Sequence, residues 1–273
     1  MTAARGSAPR FPLSLERLGA QAKDAGVGAR ATLRPQAPLQ QAADDEARRI
    51  VPSGLGLDSA EVRLRMVARL RRAGLRNEEV LEALAAVPRH LFVDGGLVNQ
   101  VYEDTSLPIG HGQTISKPSV VARMIELLAE GRAALGAGTL GRVLEIGSGC
   151  GYQAAVLARL ARQVWSIERI RPLHDKARLH LAAMRETKVR LLYGDGMLGH
   201  AGGAPYESII AAAGGDAVPQ AWLDQLAPGG RLVAPVRMQG RQQALVVVDR
   251  TDNGFLRSVH ETVHFVPLRE GVD

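Results

Sequence analysis

From Arg142 onward, apolar residues fall in short continuous runs separated by longer stretches of mixed character. The runs are VLEI at 143–146, VWSIE at 164–168, VRLLY at 189–193, SIIAAA at 208–213, LVAPV at 232–236 and ALVVV at 244–248. Continuous apolar strands that alternate with helices are typical of a mostly parallel sheet covered on both faces. The pattern therefore predicts an α/β fold, which a terminal strand or hairpin at 254–266 completes.

Two helices are predicted upstream of these runs. Asp58 can cap the first, with Glu61 three residues later, and Asn77 can cap the second, which Pro88 ends. Apolar residues recur at helical spacing in both, at Val62, Met66, Val67 and Leu70 and then at Val80, Leu81, Leu84 and Val87. We therefore predict one domain over residues 58–273, in which 58–128 form a helical lead-in.

Proline and glycine mark further boundaries. Pro172 falls near the start of a helix predicted at 172–185, and the sequence Pro-Gly-Gly at 228–230 predicts a turn before the next strand. In the first 57 residues, prolines interrupt every potential helix and no apolar periodicity is sustained. We expect residues 1–57 to be a largely disordered extension.

Composition limits the compartment and the partners. The chain has 273 residues, of which 46% are hydrophobic and only one, Cys150, is a cysteine, and it has no apolar run long enough to span a bilayer. We expect a cytoplasmic protein without a membrane partner.

The net charge of +6 suggests a nucleic-acid partner, but the basic residues are dispersed and only 4% of residues are aromatic. We expect no nucleic-acid partner, and a basic RNA-binding module remains an alternative.

A glycine-rich loop follows the first predicted strand of the sheet. Gly147, Gly149 and Gly151 lie where a ligand can approach the backbone between a strand and a helix. The spacing is G-x-G-x-G, whereas dinucleotide sites have G-x-G-x-x-G. Glu145 would repel a pyrophosphate but attract a ligand that carries an ammonium and a sulfonium. An NAD(P)-dependent oxidoreductase is therefore the weaker alternative.

Acidic residues also end the next two strands. Glu168 is placed to accept hydrogen bonds from ribose hydroxyls, and Asp195, followed by Gly196, could accept one from an adenine amino group. Either acid alone could instead be a solvated loop residue or a helix cap. Cys150 is interpreted as a small residue that the loop tolerates, because no histidine is near it in sequence. Together the three strand ends predict a nucleoside site.

Several segments resemble the bacterial protein-L-isoaspartate O-methyltransferases. The segment LPIGHGQTISKPSVVARMIELL at 107–128 resembles the hallmark region of that family. In the same order, the similarity extends to AVPRHLFV at 86–93, VLEIGSGCGYQAA at 143–155, SIERI at 166–170, GDG at 194–196, QLAPGGRLVAPV at 225–236 and HFVPLREG at 264–271. It runs from about residue 60 to the C-terminus, and the first 57 or so residues have no counterpart in it.

The resemblance implies a fold, a reaction and a set of site residues. The fold is a Rossmann-like class I S-adenosylmethionine-dependent methyltransferase, and the reaction transfers methyl to the α-carboxylate of L-isoaspartyl residues in damaged proteins, which initiates repair. Ser116 is implied as the active-site hydroxyl, flanked by Gln113, Thr114 and Ile115. The implied cofactor positions are Glu145, Gly147, Gly149, Glu168, Asp195 and Gly196. We expect S-adenosylmethionine as cofactor, no metal, isoaspartyl proteins and peptides as substrates, and a monomer.

The chemistry needs few groups, because the attacking carboxylate has a pKa of about 4 and is already ionised at neutral pH. Ser116 could donate one hydrogen bond to it. The same serine could instead be a helix N-cap, since Pro118 follows it.

Two positions depart from the family, which usually has proline at Gly214 and glycine at Arg237. His260 and His264 share one face of a predicted strand, but they lack a carboxylate or third ligand for a metal.

Overall fold

Helices and one hairpin precede the main sheet. The computed structural model describes residues 60–238 and 242–273. In this region the elements are α1 (Ala60–Arg72), α2 (Glu78–Ala86), β1 (Leu107–Gly110), β2 (Gln113–Ile115) and α3 (Pro118–Ala129), with 3-10 helices at Arg89–Phe92 and Gly95–Gln100. The Asn77 side chain accepts a hydrogen bond from the Val80 N–H, which confirms the predicted cap. The predicted cap at Asp58 and the predicted extension at 1–57 lie outside the described residues.

The hairpin of β1 and β2 falls inside the predicted helical lead-in. Its turn places three consecutive residues, Gly110, His111 and Gly112, at positive φ angles of 98°, 53° and 67°. Glycine enters this left-handed region without steric cost, and histidine does so only occasionally. The glycines therefore allow a tight turn, and the strands β1 and β2 pair in antiparallel register, with Leu107 opposite Ile115.

A seven-stranded, mostly parallel sheet forms the centre of the fold. Its strands are β3 (Arg142–Ile146), β4 (Gln163–Glu168), β5 (Val189–Tyr193), β6 (Tyr206–Ala211), β7 (Leu226–Arg237), β8 (Gln243–Thr251) and β9 (Gly254–Val263). The spatial order is β5-β4-β3-β6-β7-β8-β9, with parallel pairing from β5 to β7 and antiparallel pairing from β7 to β9. The strand order reverses between β3 and β6, where open α/β sheets bind ligands.

Successive residues of the strands point to opposite faces, and each face is buried. Val143 and Ile210 belong to one apolar cluster, whereas their neighbours Leu144 and Ile209 belong to the other. The first cluster contains residues of α1, α2, α3, α5 (Tyr152–Leu160) and α6 (Arg171–Ala183), and the second contains residues of α7 (Gln220–Gln225). The short helix α4 (Arg132–Ala137) precedes β3. The predicted α/β fold with helices on both faces is confirmed.

One predicted boundary is wrong. The Pro-Gly-Gly sequence at 228–230 lies inside β7 rather than in a turn before it. Tyr206 pairs with Leu226 and Ser208 pairs with Arg231, so the intervening residues of β7 form a bulge. A bulge accommodates proline because the bulged residues leave the hydrogen-bonded ladder.

Among the described residues, no helix combines the length and the apolarity needed to cross a bilayer.

Candidate active site

The glycine loop connects β3 to α5 at the point where the strand order reverses. Gly147, Gly149 and Gly151 have φ angles of 89°, 55° and 90°, in the left-handed region that favours glycine. A Cβ on Gly149 would lie 3.1 Å from Ile109 Cδ1, so the hairpin packs closely against the loop. The loop thus presents bare backbone to the cleft beside it.

Glu145 lies under this loop and is fully buried. Ser166 donates a hydrogen bond to Glu145 Oε2, and the Ser166 hydroxyl is 2.5 Å from that of Ser148. The other oxygen, Oε1, and the buried Gln153 Nε2 make no hydrogen bond of good geometry within the described part of the chain, but the Gln153 side chain lies close enough to Glu145 to lower its pKa. Burial raises the pKa of Glu145 to about 8, and the nearby Glu168 contributes in the same direction. A cationic group beside Oε1 would favour the ionised form of Glu145 and so offset the cost of burying its charge.

Glu168 ends β4 and faces the same cleft. Its two oxygens accept hydrogen bonds from the backbone N–H groups of Gly149, at 2.8 Å, and Ile170, at 2.9 Å. Burial raises its pKa, and these backbone hydrogen bonds act in the opposite direction. Each oxygen keeps a lone pair for a further donor, such as a ligand hydroxyl.

Asp195 differs from Glu145 and Glu168 in that both of its carboxylate oxygens accept hydrogen bonds from backbone N–H groups away from the cleft. Its Oδ1 accepts a hydrogen bond from Met197 N–H at 2.8 Å and caps the 3-10 helix Gly196–Leu198. Its Oδ2 accepts one from Gly271 N–H at 2.7 Å, and Asp195 is not among the residues that line the cleft. Gly196 does line it, and a Cβ there would lie 2.6 Å from Ile146 Cγ2. The role of Asp195 toward an adenine amino group stays a prediction.

The cleft has a volume of about 890 Å³, including its open mouth. Of the predicted site residues, all but Glu145 and Asp195 line it, and they are Gln113, Thr114, Ile115, Ser116, Gly147, Gly149, Glu168 and Gly196. The fold therefore brings the hairpin segment and three strand ends together around one cavity, which we call the cofactor cleft. Their individual roles remain predictions.

Ser116 caps no helix, so the capping alternative is wrong. The N-cap position of α3 belongs to Lys117, which makes no side-chain capping bond, and the N–H of Ser119 is bound instead by Asp104 at 2.8 Å. Pro118 occupies the first turn as predicted, but it shifts the cap one residue beyond Ser116. The Ser116 hydroxyl is therefore available for another partner.

A buried arginine fixes the backbone of Ser116. Arg89 is fully buried and donates hydrogen bonds to Ser116 O at 2.7 Å and Val101 O at 2.8 Å. Its guanidinium also lies over the Tyr152 ring, 4.7 Å from the centroid. Burial lowers the pKa of Arg89. Sequence reasoning missed this role, because Arg89 belongs to the family-like segment at 86–93 but nothing local indicates its distant partners.

A second, more open cleft adjoins the first, and we call it the peptide-side cleft. Its volume is about 2500 Å³, including the open mouth. The two clefts share Thr114, Ser116, Ala212 and Val266. Its charged groups are largely paired, since Arg123 binds Glu126 at 2.8 Å and Glu261 at 2.9 Å. Ser116 thus lies at the junction of the smaller cofactor cleft and the wider peptide-side cleft.

The chain that follows β9 forms a wall that sequence reasoning did not assign. Residues 266–269 line the cofactor cleft, and residues 264–266 line the peptide-side cleft. Arg169, directly after Glu168, pairs with Asp273 at 2.7 Å and holds the end of this segment. The family resemblance at 264–271 marked this segment but did not assign it a role. Contacts such as that of Arg169 with Asp273 join residues about a hundred positions apart, so the local sequence does not indicate them.

The remaining singled-out residues lie at the edge of the site. Gly214 donates its N–H to Val266 O at 2.8 Å, a bond that proline could not make, and Arg237 pairs with Asp216 at the surface. His264 lines the peptide-side cleft, whereas His260 lies in β9. Among the described residues, no group of three or more His, Cys, Asp or Glu side chains could hold a metal ion.

Cys150 is buried in the loop, and burial raises the pKa of its thiol to about 11. The thiol is therefore protonated at neutral pH, which fits a packing role. The histidine absent from the local sequence is supplied by the fold, since His180 Nδ1 lies 2.9 Å from Cys150 O. That contact is to the backbone and does not activate the sulfur.

Comparison with known proteins decides the family. The family model for protein-L-isoaspartate(D-aspartate) O-methyltransferase matches residues 61–273. The chain belongs to this family. A protein-L-isoaspartate O-methyltransferase of Methylibium petroleiphilum is 61% identical over 277 aligned residues and covers 100% of both chains. One from Leptothrix cholodnii is 61% identical and covers 87% of this chain and 84% of its own. The Methylibium alignment thus also includes the first 57 residues, which had no counterpart in the resemblance.

Solved structures agree with the fold of the family. A protein-L-isoaspartate O-methyltransferase has a TM-score of 0.69 at 27% identity and covers 77% of this chain and 67% of its own. A Plasmodium falciparum protein solved in complex with S-adenosyl-L-homocysteine has a TM-score of 0.66 at 20% identity, with coverage of 76% and 98%. The class I S-adenosylmethionine-dependent methyltransferase fold is thereby confirmed for residues of the main sheet and its helices.

Proposed function

We propose that this chain methylates the α-carboxylate of L-isoaspartyl residues in damaged proteins and so initiates their repair. One observation carries the proposal within the site. A cleft lined by the buried Glu168, with Glu145 buried beneath its glycine loop, meets a wider cleft at Ser116, in a member of the protein-L-isoaspartate(D-aspartate) O-methyltransferase family. A methyl donor in the first cleft and a peptide in the second would place their reacting groups at this junction.

The cofactor cleft fits S-adenosylmethionine. Buried Glu145 has an oxygen that makes no hydrogen bond of good geometry among the described residues, as expected opposite a ligand ammonium. Glu168 retains acceptor capacity for hydroxyls, and Gly196 lines the cleft at a point where it packs so closely against Ile146 that a Cβ would clash. Gly147 and Gly149 would present backbone to the ligand, and Asp195 would lie at its far end. When bound, S-adenosylmethionine supplies an electrophilic methyl group, and S-adenosylhomocysteine is the product.

The reaction needs positioning more than proton transfer. A carboxylate oxygen of the isoaspartyl residue forms the new O–CH₃ bond while the S–CH₃ bond breaks, and sulfur keeps the electron pair. The carboxylate is already ionised at neutral pH, so no general base is required. Ser116 would donate one hydrogen bond to the attacking carboxylate and so hold it in line. Holding two reactants at about 3 Å in the right orientation can recover several kcal/mol of the barrier.

Arg89 supports this arrangement from inside the protein. Its hydrogen bond to Ser116 O fixes the backbone next to the reacting groups. Because Arg89 is fully buried and lines neither cleft, its guanidinium would not bind the substrate carboxylate in place of Ser116. Gln113, Thr114 and Ile115 form the adjoining wall.

The two alternatives are not supported. An NAD(P) pyrophosphate would lie next to the buried Glu168 on the cleft wall, a site that disfavours added negative charge. The family match and the relatives support neither the oxidoreductase alternative nor the RNA-binding alternative. We further propose a cytoplasmic monomer that binds neither membranes nor nucleic acid, which size-exclusion chromatography with light scattering and fractionation can test.

The decisive experiment supplies methyl-labelled S-adenosylmethionine with an isoaspartyl peptide and its aspartyl twin. We expect labelling of the isoaspartyl peptide alone, as a base-labile methyl ester. Equal labelling of both peptides, or of neither, would refute the proposed function. Thermal stabilisation by S-adenosylhomocysteine but not by NADH would establish which ligand the cofactor cleft accepts.

A further inference from the structure

The segment directly after β9 is a partition between the two clefts. Phe265 contributes to the peptide-side cleft, Leu268 contributes to the cofactor cleft, and Val266 between them borders both. β9 ends at Val263, so this segment has left the sheet and lacks a regular strand partner. Whatever holds it in place sets the shape of the peptide-side cleft next to Ser116.

Gln243 holds the peptide-side half of this partition through its side chain. Gln243 Oε1 accepts a hydrogen bond from Phe265 N–H at 2.7 Å, and Gln243 Nε2 donates one to Phe265 O at 3.3 Å. The backbone pairing of β8 with β9 ends at Gln243 and Val263. The side-chain amide therefore continues the ladder by one more step, because it offers one donor and one acceptor as a peptide group does.

We infer that Gln243 is a positioning residue for peptide recognition, because it fixes the backbone of Phe265 in the wall against which the isoaspartyl peptide lies. The inference rests on the proposed function and adds to it a residue that governs substrate binding. Gln243 acts through the backbone of Phe265, and its own loss should loosen the wall rather than remove a group from the reacting centre.

The cofactor-side half of the partition is held by other contacts. Gly214 donates its N–H to Val266 O at 2.8 Å and accepts from Leu268 N–H at 2.9 Å, and Gly271 N–H is bound by Asp195. Loss of Gln243 should therefore affect the peptide more than the cofactor. Gly214 also leaves space for the amide, since a Cβ there would lie 2.4 Å from Gln243 Nε2.

The test replaces Gln243 by Leu and, separately, by Met, which keep the volume but cannot make either hydrogen bond. Gln220→Leu is the matched control, because Gln220 is exposed on α7 and bonds only Asp224 nearby. For both Gln243 variants we expect the KM for an isoaspartyl peptide to rise about fivefold or more. The KM for S-adenosylmethionine and the Kd for S-adenosylhomocysteine should stay within about twofold, and kcat within about threefold.

The outcomes separate the inference from the function on which it rests. If wild type does not prefer the isoaspartyl peptide, the proposed function fails. If wild type does, but both variants keep its peptide KM, or raise the KM of peptide and cofactor equally, only the role of Gln243 is overturned. Hydrogen exchange on wild type adds a check that needs no variant, since the Phe265 amide should exchange slowly and fast exchange would contradict the inference.

Discussion

The cofactor cleft and the peptide-side cleft meet at Ser116 but are built by opposite means. In the cofactor cleft, Glu145 and Glu168 are almost completely buried and lie around a glycine loop whose backbone is fixed by left-handed φ angles. In the peptide-side cleft, Arg123 is partly exposed and pairs with Glu130 and Glu261, and the lining as a whole has three cationic and three acidic residues, Arg76, Lys117, Arg123, Glu126, Glu130 and Glu261, whose formal charges cancel. The cofactor cleft is the smaller of the two, and the acids at its loop, Glu145 beneath it and Glu168 on its wall, are buried; the peptide-side cleft is wider, and the acids on its wall are paired with arginine.

This difference matches what each cleft has to recognise. A single cationic ligand is selected by unscreened negative charge and a close-fitting backbone, because electrostatic interactions strengthen when water is excluded. Damaged sites occur in many sequence contexts, so a peptide site gains from screened charges that do not discriminate among neighbouring side chains. Changes in the cofactor cleft should therefore have large, specific effects, and changes in the peptide-side cleft small ones.

The largest effect is expected from a side chain in the glycine loop. Gly149→Val places a branched residue at a φ of 55° and directs its Cβ toward Ile109, 3.1 Å away. We expect affinity for S-adenosylhomocysteine, measured by calorimetry, to fall about 100-fold. Gly96→Ala, where no atom lies within 4 Å of the new Cβ, is the control. A Gly149→Val protein with wild-type affinity would show that the loop is not preorganised.

A smaller effect, on turnover rather than on binding, is expected at the junction. Ser116→Ala removes the one hydroxyl assigned to the substrate carboxylate, so kcat should fall about 10- to 100-fold. The Kd for S-adenosylhomocysteine should stay close to wild type, because Ser116 contacts the cofactor cleft only at its edge. Steady-state kinetics with an isoaspartyl peptide checks both values. An unchanged kcat would leave Ser116 without a part in the reaction.

The buried acid should make cofactor binding depend on pH. Folding raises the pKa of Glu145 from 4.5 to about 8, so the folded protein holds this proton and loses stability as pH rises through that range. A ligand ammonium binds the ionised form, so affinity for S-adenosylhomocysteine should rise about tenfold or more from pH 6 to pH 8.

Glu145→Gln isolates this dependence. The glutamine side chain does not titrate in that range, so the rise in affinity for S-adenosylhomocysteine between pH 6 and pH 8 should disappear. Its affinity should be low at every pH, because no carboxylate faces the ligand ammonium. Calorimetry at several pH values on both proteins gives the comparison. The same slope in the variant would assign the titration to another group.

The smallest effect is expected among the paired charges of the peptide-side cleft. Arg123→Gln breaks contacts with Glu126 and Glu261, but Glu126 keeps hydrogen bonds from the N–H groups of Arg76, at 2.7 Å, and Asn77, at 3.0 Å. We expect a loss of about 1 kcal/mol in the free energy of unfolding by urea, and a peptide KM within about twofold of wild type. A tenfold change in KM would mean that this cleft, too, recognises its ligand by charge.

Much of the fold and part of the site were predictable from local pattern. Each apolar run became a strand, because a strand buried on both faces must be continuously apolar, although β7 begins at Leu226, well before its run at 232–236. The sequence also predicted that the glycine loop and Glu168 lie at the ends of neighbouring strands. The carboxyl ends of the strands in a parallel sheet meet at one edge, so these residues lie close together. Ser116 as a cap was a wrong alternative, because the cap position shifted to Lys117.

The sequence by itself determined the strands, the glycine turn, the acids that follow the strands and the family, since each depends on residues close together along the chain. Only the tertiary structure decided that Arg89 fixes Ser116, that Gln243 binds Phe265 and that Asp195 is tied to Gly271. Those contacts satisfy backbone groups that have left regular secondary structure, and such groups take whichever partner the fold brings near. Local periodicity carries no information about that choice.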